Sequence, residues 1–237
     1  MSRPTSGSSF QDTRWTQVEC AQGTGEAAAL ALSDLCAAYH RPVQAFIRHW
    51  CGDGEQARDL TQEFFARLLA RPALAAERSK GRFRSYLLGM VKHFLLEQKR
   101  NAHTLRHGSG ATLESLDETE TGCPDTVGLP PDKLFDQQWA CSVLERALEN
   151  LSAEMNAQGK AELFSLLRPW LADAAAHGGQ QAAAARLGLS ETAVRVQVHR
   201  LRKRYREWIE AEVSQTLNGG ITLQEEMQHL LAALAGR

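Results

Sequence analysis

The chain has 237 residues, enough for one or two domains with a sizeable core, and its 27 Lys and Arg nearly balance its 28 Asp and Glu. Gly, Ala and Leu are common while β-branched residues are sparse, which favours an all-α protein. No signal peptide, membrane-spanning run or lipidation motif is visible, so we expect a cytoplasmic protein without a membrane partner.

The cysteines and histidines form no recognisable disulfide or metal pattern. Five cysteines are scattered without a C-x-x-C pair, which suits a reducing cytosol. His49 with Cys51, or His103 with His107, offers two ligands each, but no four-ligand set follows. We therefore predict no metal and no cofactor.

Basic residues concentrate in two stretches, although the net charge is only −1. Residues 82–106 hold six Lys or Arg against one acid, and residues 195–206 hold six and no acid. The rest of the chain has 15 basic and 27 acidic residues. Two basic patches on an acidic body predict two places where a polyanion docks.

The first elements are a Ser/Thr/Gly-rich tail over residues 1–14, predicted to be disordered, and two helices. The first helix is predicted over 27–39 and the second from Arg41-Pro42 to the Gly52-Asp53-Gly54 break. The expected core positions are Leu30, Leu32, Leu35 and Cys36 in the first helix and Val43, Phe46, Ile47 and Trp50 in the second.

Residues 55–69 predict a helix with two distinct faces. Its buried side is formed by Ala57, Leu60, Phe64, Phe65 and Leu68. A separate acidic and polar face holds Asp59, Gln62, Glu63 and Ala66. Taken alone, that face would be interpreted as a solvated surface.

A loop leads to residues 81–87, and a long basic helix is predicted to follow to about Asn101. Its apolar face is Phe83, Leu87, Met90, Val91, Phe94 and Leu95. The cationic and aromatic candidates for contact with a nucleic acid are Arg82, Arg84, Tyr86, Lys92, His93, Lys99 and Arg100. Tyr86 is equally compatible with packing against the core.

The segment 106–131 is predicted to be a flexible linker. After Arg106 it contains Gly, Ser, Thr and Pro, no Lys or Arg, and the acids Glu114, Asp117, Glu118, Glu120 and Asp125. A solvated tether explains this composition.

A second helical domain is predicted over 132–217. Its first helix has a helical period of apolar residues at Leu134, Phe135, Trp139, Val143, Leu144, Ala147, Leu148 and Leu151. A helix over 163–171 is expected to be kinked or interrupted at Pro169. Beyond it, Asn218-Gly219-Gly220 should stop the last helix, and 223–235 is a short amphipathic segment that could fold back or meet a partner.

Residues 180–206 predict a helix-turn-helix. An alanine-rich helix over 180–187 ends at Gly188, and Ser190 stands at the N-cap of the next helix. The apolar stripe of that helix is Val194, Val198, Leu201, Tyr205, Trp208 and Ile209. The candidates for contact with DNA begin with Ser190 and Glu191, at the cap and in the first turn of that helix. Thr192, Arg195 and His199 are the best candidates for base edges in a major groove, while Arg200, Lys203 and Arg204 suit phosphates.

Three of these stretches resemble one family. The run Asp-Leu-Thr-Gln-Glu-Phe-Phe at 59–65 and the basic segment from Gly81 resemble region 2 of bacterial RNA polymerase sigma factors. Helix-turn-helix motifs of repressors usually have an apolar residue three positions after the one at Val194, but here that position is Gln197 and the apolar residue is Val198. This displaced pattern resembles region 4 of the same family. The chain is similar to the extracytoplasmic-function (ECF) branch, which has regions 2 and 4 only.

The resemblance implies two small helical domains, over 15–105 and 132–217, and a C-terminal extension over 218–237. It implies that Asp59, Gln62 and Glu63 bind the β′ coiled coil of core RNA polymerase. The basic helix would open and hold the −10 promoter element, and the second domain would contact the β flap and read the −35 element. It also implies a linker threaded through the polymerase, and allows an anti-sigma factor or other regulator.

Two other classes of function explain less of the sequence. A stand-alone helix-turn-helix regulator would be a dimer on palindromic sites, whereas a sigma factor would be a monomer when free. The regulator interpretation leaves the face at 59–63 unexplained. An enzyme is not predicted, because the chain shows no nucleophile motif, phosphate-binding glycine loop or convergent carboxylate pair. The promoter sequence, the activating signal and the arrangement of the domains do not follow from the sequence.

Overall fold

The computed structural model describes residues 26–70, 82–106, 130–172, 180–215 and 221–236. These residues form nine helices and no strand, which confirms the all-α prediction. The helices are α1 (Glu26–Cys51), α2 (Gly54–Leu69), α3 (Phe83–Arg106), α4 (Pro131–Ala157), α5 (Ala161–Leu167), α6 (Pro169–Ala172), α7 (Gln180–Leu187), α8 (Glu191–Ser214) and α9 (Leu223–Leu234). The predicted tail over 1–14, most of the linker and the stop at 218–220 lie outside the described residues.

The described residues divide into two compact units. The first contains those within Met1–Ala140 and Gln215–Arg237, and the second is Cys141–Ser214. The dividing point falls inside α4 rather than before it, because Phe135 and Trp139 are buried in the first unit. The first unit also includes α9, which the sequence assigns to a separate extension. The functional division of the chain remains a prediction.

Helix α1 is continuous, so the prediction of two helices meeting at Arg41-Pro42 is wrong. A proline inside a helix costs about 3 kcal/mol. Here one buried face runs through it without interruption, with Tyr39, Pro42 and Val43 all buried. Burial of this continuous stripe outweighs the local penalty.

The core of the first unit is rich in aromatic residues. Tyr39 of α1 meets Phe83 of α3 edge to face at 5.3 Å between ring centroids, and Phe64 of α2 meets Phe94 of α3 at 5.6 Å. Edge-to-face pairs add to the stabilisation that burial provides. The apolar face predicted for α3 is confirmed except at Met90, which is only half-buried.

The second unit packs α5, α6 and α7 against α8 around one apolar cluster. Its members are Leu151, Met155, Phe164, Leu167, Trp170, Ala183, Ala184, Val194, Val198 and Leu201. The interruption predicted at Pro169 is confirmed, because α5 ends at Leu167 and α6 begins at Pro169. Helix α8 ends at Ser214, before the predicted Leu217.

The turn between α7 and α8 has the backbone geometry that its sequence predicts. Gly188 has a φ of 63°, in the left-handed region, and the Leu189 amide donates to the Ala184 carbonyl at 2.9 Å. The Ala193 amide then donates to Ser190 Oγ at 3.2 Å, so Ser190 caps α8.

Two glycine substitutions are expected to act in opposite directions. Gly188→Ala should destabilise the second unit by about 1–2 kcal/mol, because an L-residue is strained at this positive φ even though the space around it is open. Gly89→Ala should stabilise the first unit by about 0.5–1 kcal/mol, because Gly89 lies in the interior of α3 with open space beside it. Chemical denaturation of each variant measures both signs, and a stabilising Gly188→Ala would contradict the turn geometry.

Candidate functional site

The acidic and polar face of α2 is a solvent-facing surface of the first unit. Asp59 and Gln62 are exposed, while Glu63 is half-buried. Glu63 accepts from Arg67 at 2.7 Å and from Gln98 of α3 at 2.8 Å. The α3 contact fixes Glu63, whereas Asp59 and Gln62 present their polar groups outward.

The basic side of α3 is also largely exposed. His93, Lys99 and Arg100 are exposed, and Lys92 pairs with Asp132 of α4 at 2.8 Å. Both partners of that pair are about half exposed, so it is a weak surface ion pair. Tyr86 is half-buried, with its ring 6.2 Å from that of Phe83.

Arg84 is a buried residue, contrary to its prediction as a DNA-facing one. Its side chain is 4% exposed and forms an ion pair with Glu226 of α9. Its Nε lies 3.3 Å from Asp136 Oδ1, and its guanidinium lies 4.2 Å from the ring centre of Trp139. Burial lowers the pKa of Arg84 to about 10, and the negative charge of Asp136 opposes that shift.

Glu226 joins Arg84 to the neighbouring arginine. Its carboxylate is 1% exposed and accepts from Arg82 Nε at 2.9 Å as well as from Arg84. Arg82 is 31% exposed, so one edge of its side chain faces solvent. Near the same cluster, His229 Nε2 lies 3.4 Å from Asp136 Oδ2.

The buried position of Glu226 was not predicted from the sequence, although the pattern of α9 indicates it. Its buried positions are Glu226, Leu230 and Ala233, so an acid occupies the apolar stripe of an amphipathic helix. An acid in such a stripe requires a buried cation as partner. The capping box of Thr222 and Glu225 marked where the helix begins.

Helix α8 presents a basic face to solvent. Val194, Val198 and Leu201 are buried as predicted. The predicted contact residues Glu191, Thr192, Arg195, His199, Arg200, Lys203 and Arg204 are all exposed. Arg195 is 64% exposed, and its NH2 lies 4.0 Å from Glu191 one turn earlier.

Arg204 differs from the other cations of α8 because two carboxylates already hold it. Its Nε donates to Glu154 of α4 at 2.8 Å and its NH1 to Glu207 at 2.8 Å. Trp208 Nε1 also donates to Glu154, at 2.7 Å. Partial burial alone would raise the pKa of Glu154, but the bonds from Arg204 and Trp208 outweigh it and hold that pKa below its ordinary value. Arg204 therefore fastens α8 to α4.

The described thiols are free, and the two with perturbed pKa values are not activated. Burial raises the pKa of the Cys36 thiol to about 11 and also raises that of Cys141. Within the described ranges, no three His, Cys, Asp or Glu side chains gather where they could hold a metal ion. The helices of those ranges include none that is long and apolar enough to cross a membrane.

The geometry defines a protein of two helical units, with an acidic helix face and a basic helix in the first and an exposed basic helix in the second. Residues 35–104 match the family model of Sigma-70 region 2, so this stretch is similar to that domain. The match covers less than a third of the chain and supports a role in transcription initiation. No curated protein and no solved structure matches the chain.

Proposed function

We propose that the chain is an ECF-type sigma factor that binds core RNA polymerase, recognises −35 and −10 promoter elements and promotes DNA melting to start transcription. The match of residues 35–104 to sigma-70 region 2 carries this proposal, because it contains both the acidic face of α2 and the basic helix α3. The protein acts in the cytoplasm as a monomer when free, without catalysis of its own. Residues 15–105 and 132–217 serve the two promoter elements, with 106–131 as the linker.

Core polymerase docks on α2 in this proposal. Asp59 and Gln62 are exposed, and Glu63 is held in place by Gln98. The exposed acid complements a basic partner, and a preorganised Glu63 loses little side-chain entropy on binding. The partner is the β′ coiled coil.

The −10 strand lies along α3. The exposed side chains of Lys92, His93, Lys99 and Arg100 contact the DNA backbone, and the half-buried Tyr86 is the proposed stacking partner of a base. Arg82 contributes its exposed edge. Arg84 is a positioning residue instead, because it is buried under α9 and Glu226 holds its guanidinium.

Helix α8 reads the −35 element, and the second domain contacts the β flap of the polymerase. Ser190 fixes the start of the helix, and Glu191, Thr192, Arg195 and His199 follow it toward base edges. Arg200 and Lys203 approach phosphates further along the helix. Arg204 sets the orientation of α8 through Glu154 rather than binding DNA.

Run-off transcription tests the proposal. Purified core polymerase is mixed with the protein and with upstream fragments from the protein's own genome. We expect initiation at specific positions that disappears when the protein is omitted. Sequence-specific DNA binding without polymerase, together with no initiation in its presence, would instead establish a stand-alone regulator.

Two variants of α8 separate base contacts from phosphate contacts. Arg195→Ala should lose about 1–3 kcal/mol of discrimination at one base pair of the −35 element. Lys203→Ala should weaken binding to all sequences by the same factor and reduce the salt dependence. Equal losses on specific and random DNA for both variants would refute this division of roles.

A further inference from the structure

A valine stands in the middle of the exposed basic face of α8. Val196 is 44% exposed, although it is a large apolar residue. It follows Thr192 by one helical turn and precedes His199 and Lys203 by one and two turns. These neighbours are all exposed, whereas Val194 and Val198 on either side in sequence are buried. Val196 therefore points away from the core, together with the polar and cationic residues.

An exposed valine does not improve the helix itself. β-Branched residues lose χ1 freedom in a helix, and the exposed methyl groups remain in contact with water. The side chain has no place in the apolar cluster of the second unit. What Val196 offers is a small apolar spot, with Arg195, Arg200 and Lys203 around it.

We infer that Val196 contacts the C5-methyl group of a thymine in the −35 element and is a specificity-determining residue. This inference rests on the proposed function. Thymine is the base that presents a methyl group in the major groove, and small apolar side chains are its ordinary partners. Phosphates flank every such methyl group, so a cationic border around an apolar spot matches duplex DNA in both chemistry and charge.

Contacts based on charge and hydrogen bonding alone would leave the methyl group of that base pair unrecognised. Arg195 and His199 can form hydrogen bonds with base edges, but neither can sense a methyl group. A contact by Val196 would favour thymine over cytosine at one position, because cytosine has no C5-methyl group. The loss of one buried methyl corresponds to about a three- to fivefold loss of affinity.

Single-methyl substitution tests the inference. The full chain, assembled with core RNA polymerase, is first used to select its preferred −35 duplex from a randomised pool. Each thymine on either strand is then replaced by deoxyuridine, which removes only the methyl group. The affinities of the wild type, Val196→Ala and Val196→Thr are measured for every duplex. Leu30→Ala is the matched control, since Leu30 is an exposed apolar residue on α1.

We expect one thymine at which deoxyuridine weakens the wild type and the Leu30→Ala control about three- to fivefold. The same replacement should leave Val196→Ala unchanged, and Val196→Thr, which keeps one methyl, should fall between them. If the wild type discriminates the selected duplex but no thymine methyl depends on Val196, the inference is wrong. The same holds if Val196→Ala weakens only the binding of core polymerase. If the wild type selects no sequence at all, the proposed function fails first.

Discussion

Glu226→Gln is expected to destabilise the first unit by about 3–5 kcal/mol, the range for breaking one side of a buried ion pair. Glu226 is 1% exposed and is bound by both Arg82 and Arg84. Glutamine keeps the shape of the side chain but removes its charge. Among the described residues, Arg84, itself 4% exposed, would then keep the partly exposed carboxylate of Asp136 as its negative partner.

Hydrogen exchange followed peptide by peptide measures this effect in the full chain, because it reports each unit separately. Amides of α3 and α9 should lose protection in Glu226→Gln, while those of α8 should keep theirs. Glu225→Gln is the matched control. Its amide oxygen can still accept in the capping box at Thr222, so it should change protection far less. Equal, small changes in the two variants would show that α9 does not bury its acid in solution.

A double variant separates the contribution of Arg84 to the stability of the first unit from any role of Arg84 in DNA binding. Arg84→Met combined with Glu226→Leu removes both charges and leaves apolar side chains of similar size. Such replacements of buried pairs are often neutral or stabilising. If Arg84 is only a positioning residue, the double variant should recover stability and retain promoter opening. Recovered stability without opening would instead assign Arg84 a direct contact with the −10 strand.

The contrast between Arg84 and Gly188 shows what sequence pattern can predict. The turn at Gly188 and the cap at Ser190 depend on neighbours within a few residues, so local rules suffice, and both are present. The partner of Arg84 lies 142 residues away in sequence. Its place in a basic stretch predicts a surface residue, but at 100° per residue Arg84 lies about 20° from Val91 on the apolar face of α3, whereas Arg82 lies about 180° from it.

The errors in α1 have a similar physical origin. Leu30, a predicted core residue, is 61% exposed. At 100° per residue it lies some 200° from Leu32, on the opposite face of the helix, so strict periodicity would have excluded it. The helix break at Pro42 was a sound local expectation that tertiary packing overrides. On α2 the buried stripe includes Thr61, whose hydroxyl donates to the Ala57 carbonyl at 2.6 Å, while Leu60 is only half-buried.

The second large effect is expected at the docking face of α2. Asp59→Arg should weaken binding of core RNA polymerase at least about thirtyfold, the effect of losing a hot-spot residue at an interface. The new side chain places a positive charge where a basic partner surface is proposed, so repulsion adds to the lost attraction. Asp59 is exposed, so the fold should tolerate the change.

Asp34→Arg is the control for that measurement, because it makes the same change of charge at an exposed position on α1 of the same unit. Binding is followed by titrating labelled protein with core polymerase at two salt concentrations. The loss in Asp59→Arg should shrink as salt screens the repulsion, whereas Asp34→Arg should bind like the wild type at both. Glu63→Gln should fall between them, because the proposed contact loses its charge but Gln98 can still hold the side chain. Equal losses of affinity for Asp34→Arg and Asp59→Arg would show that the loss follows from net charge and not from a contact on the α2 face. The docking proposal would then rest on the family match alone.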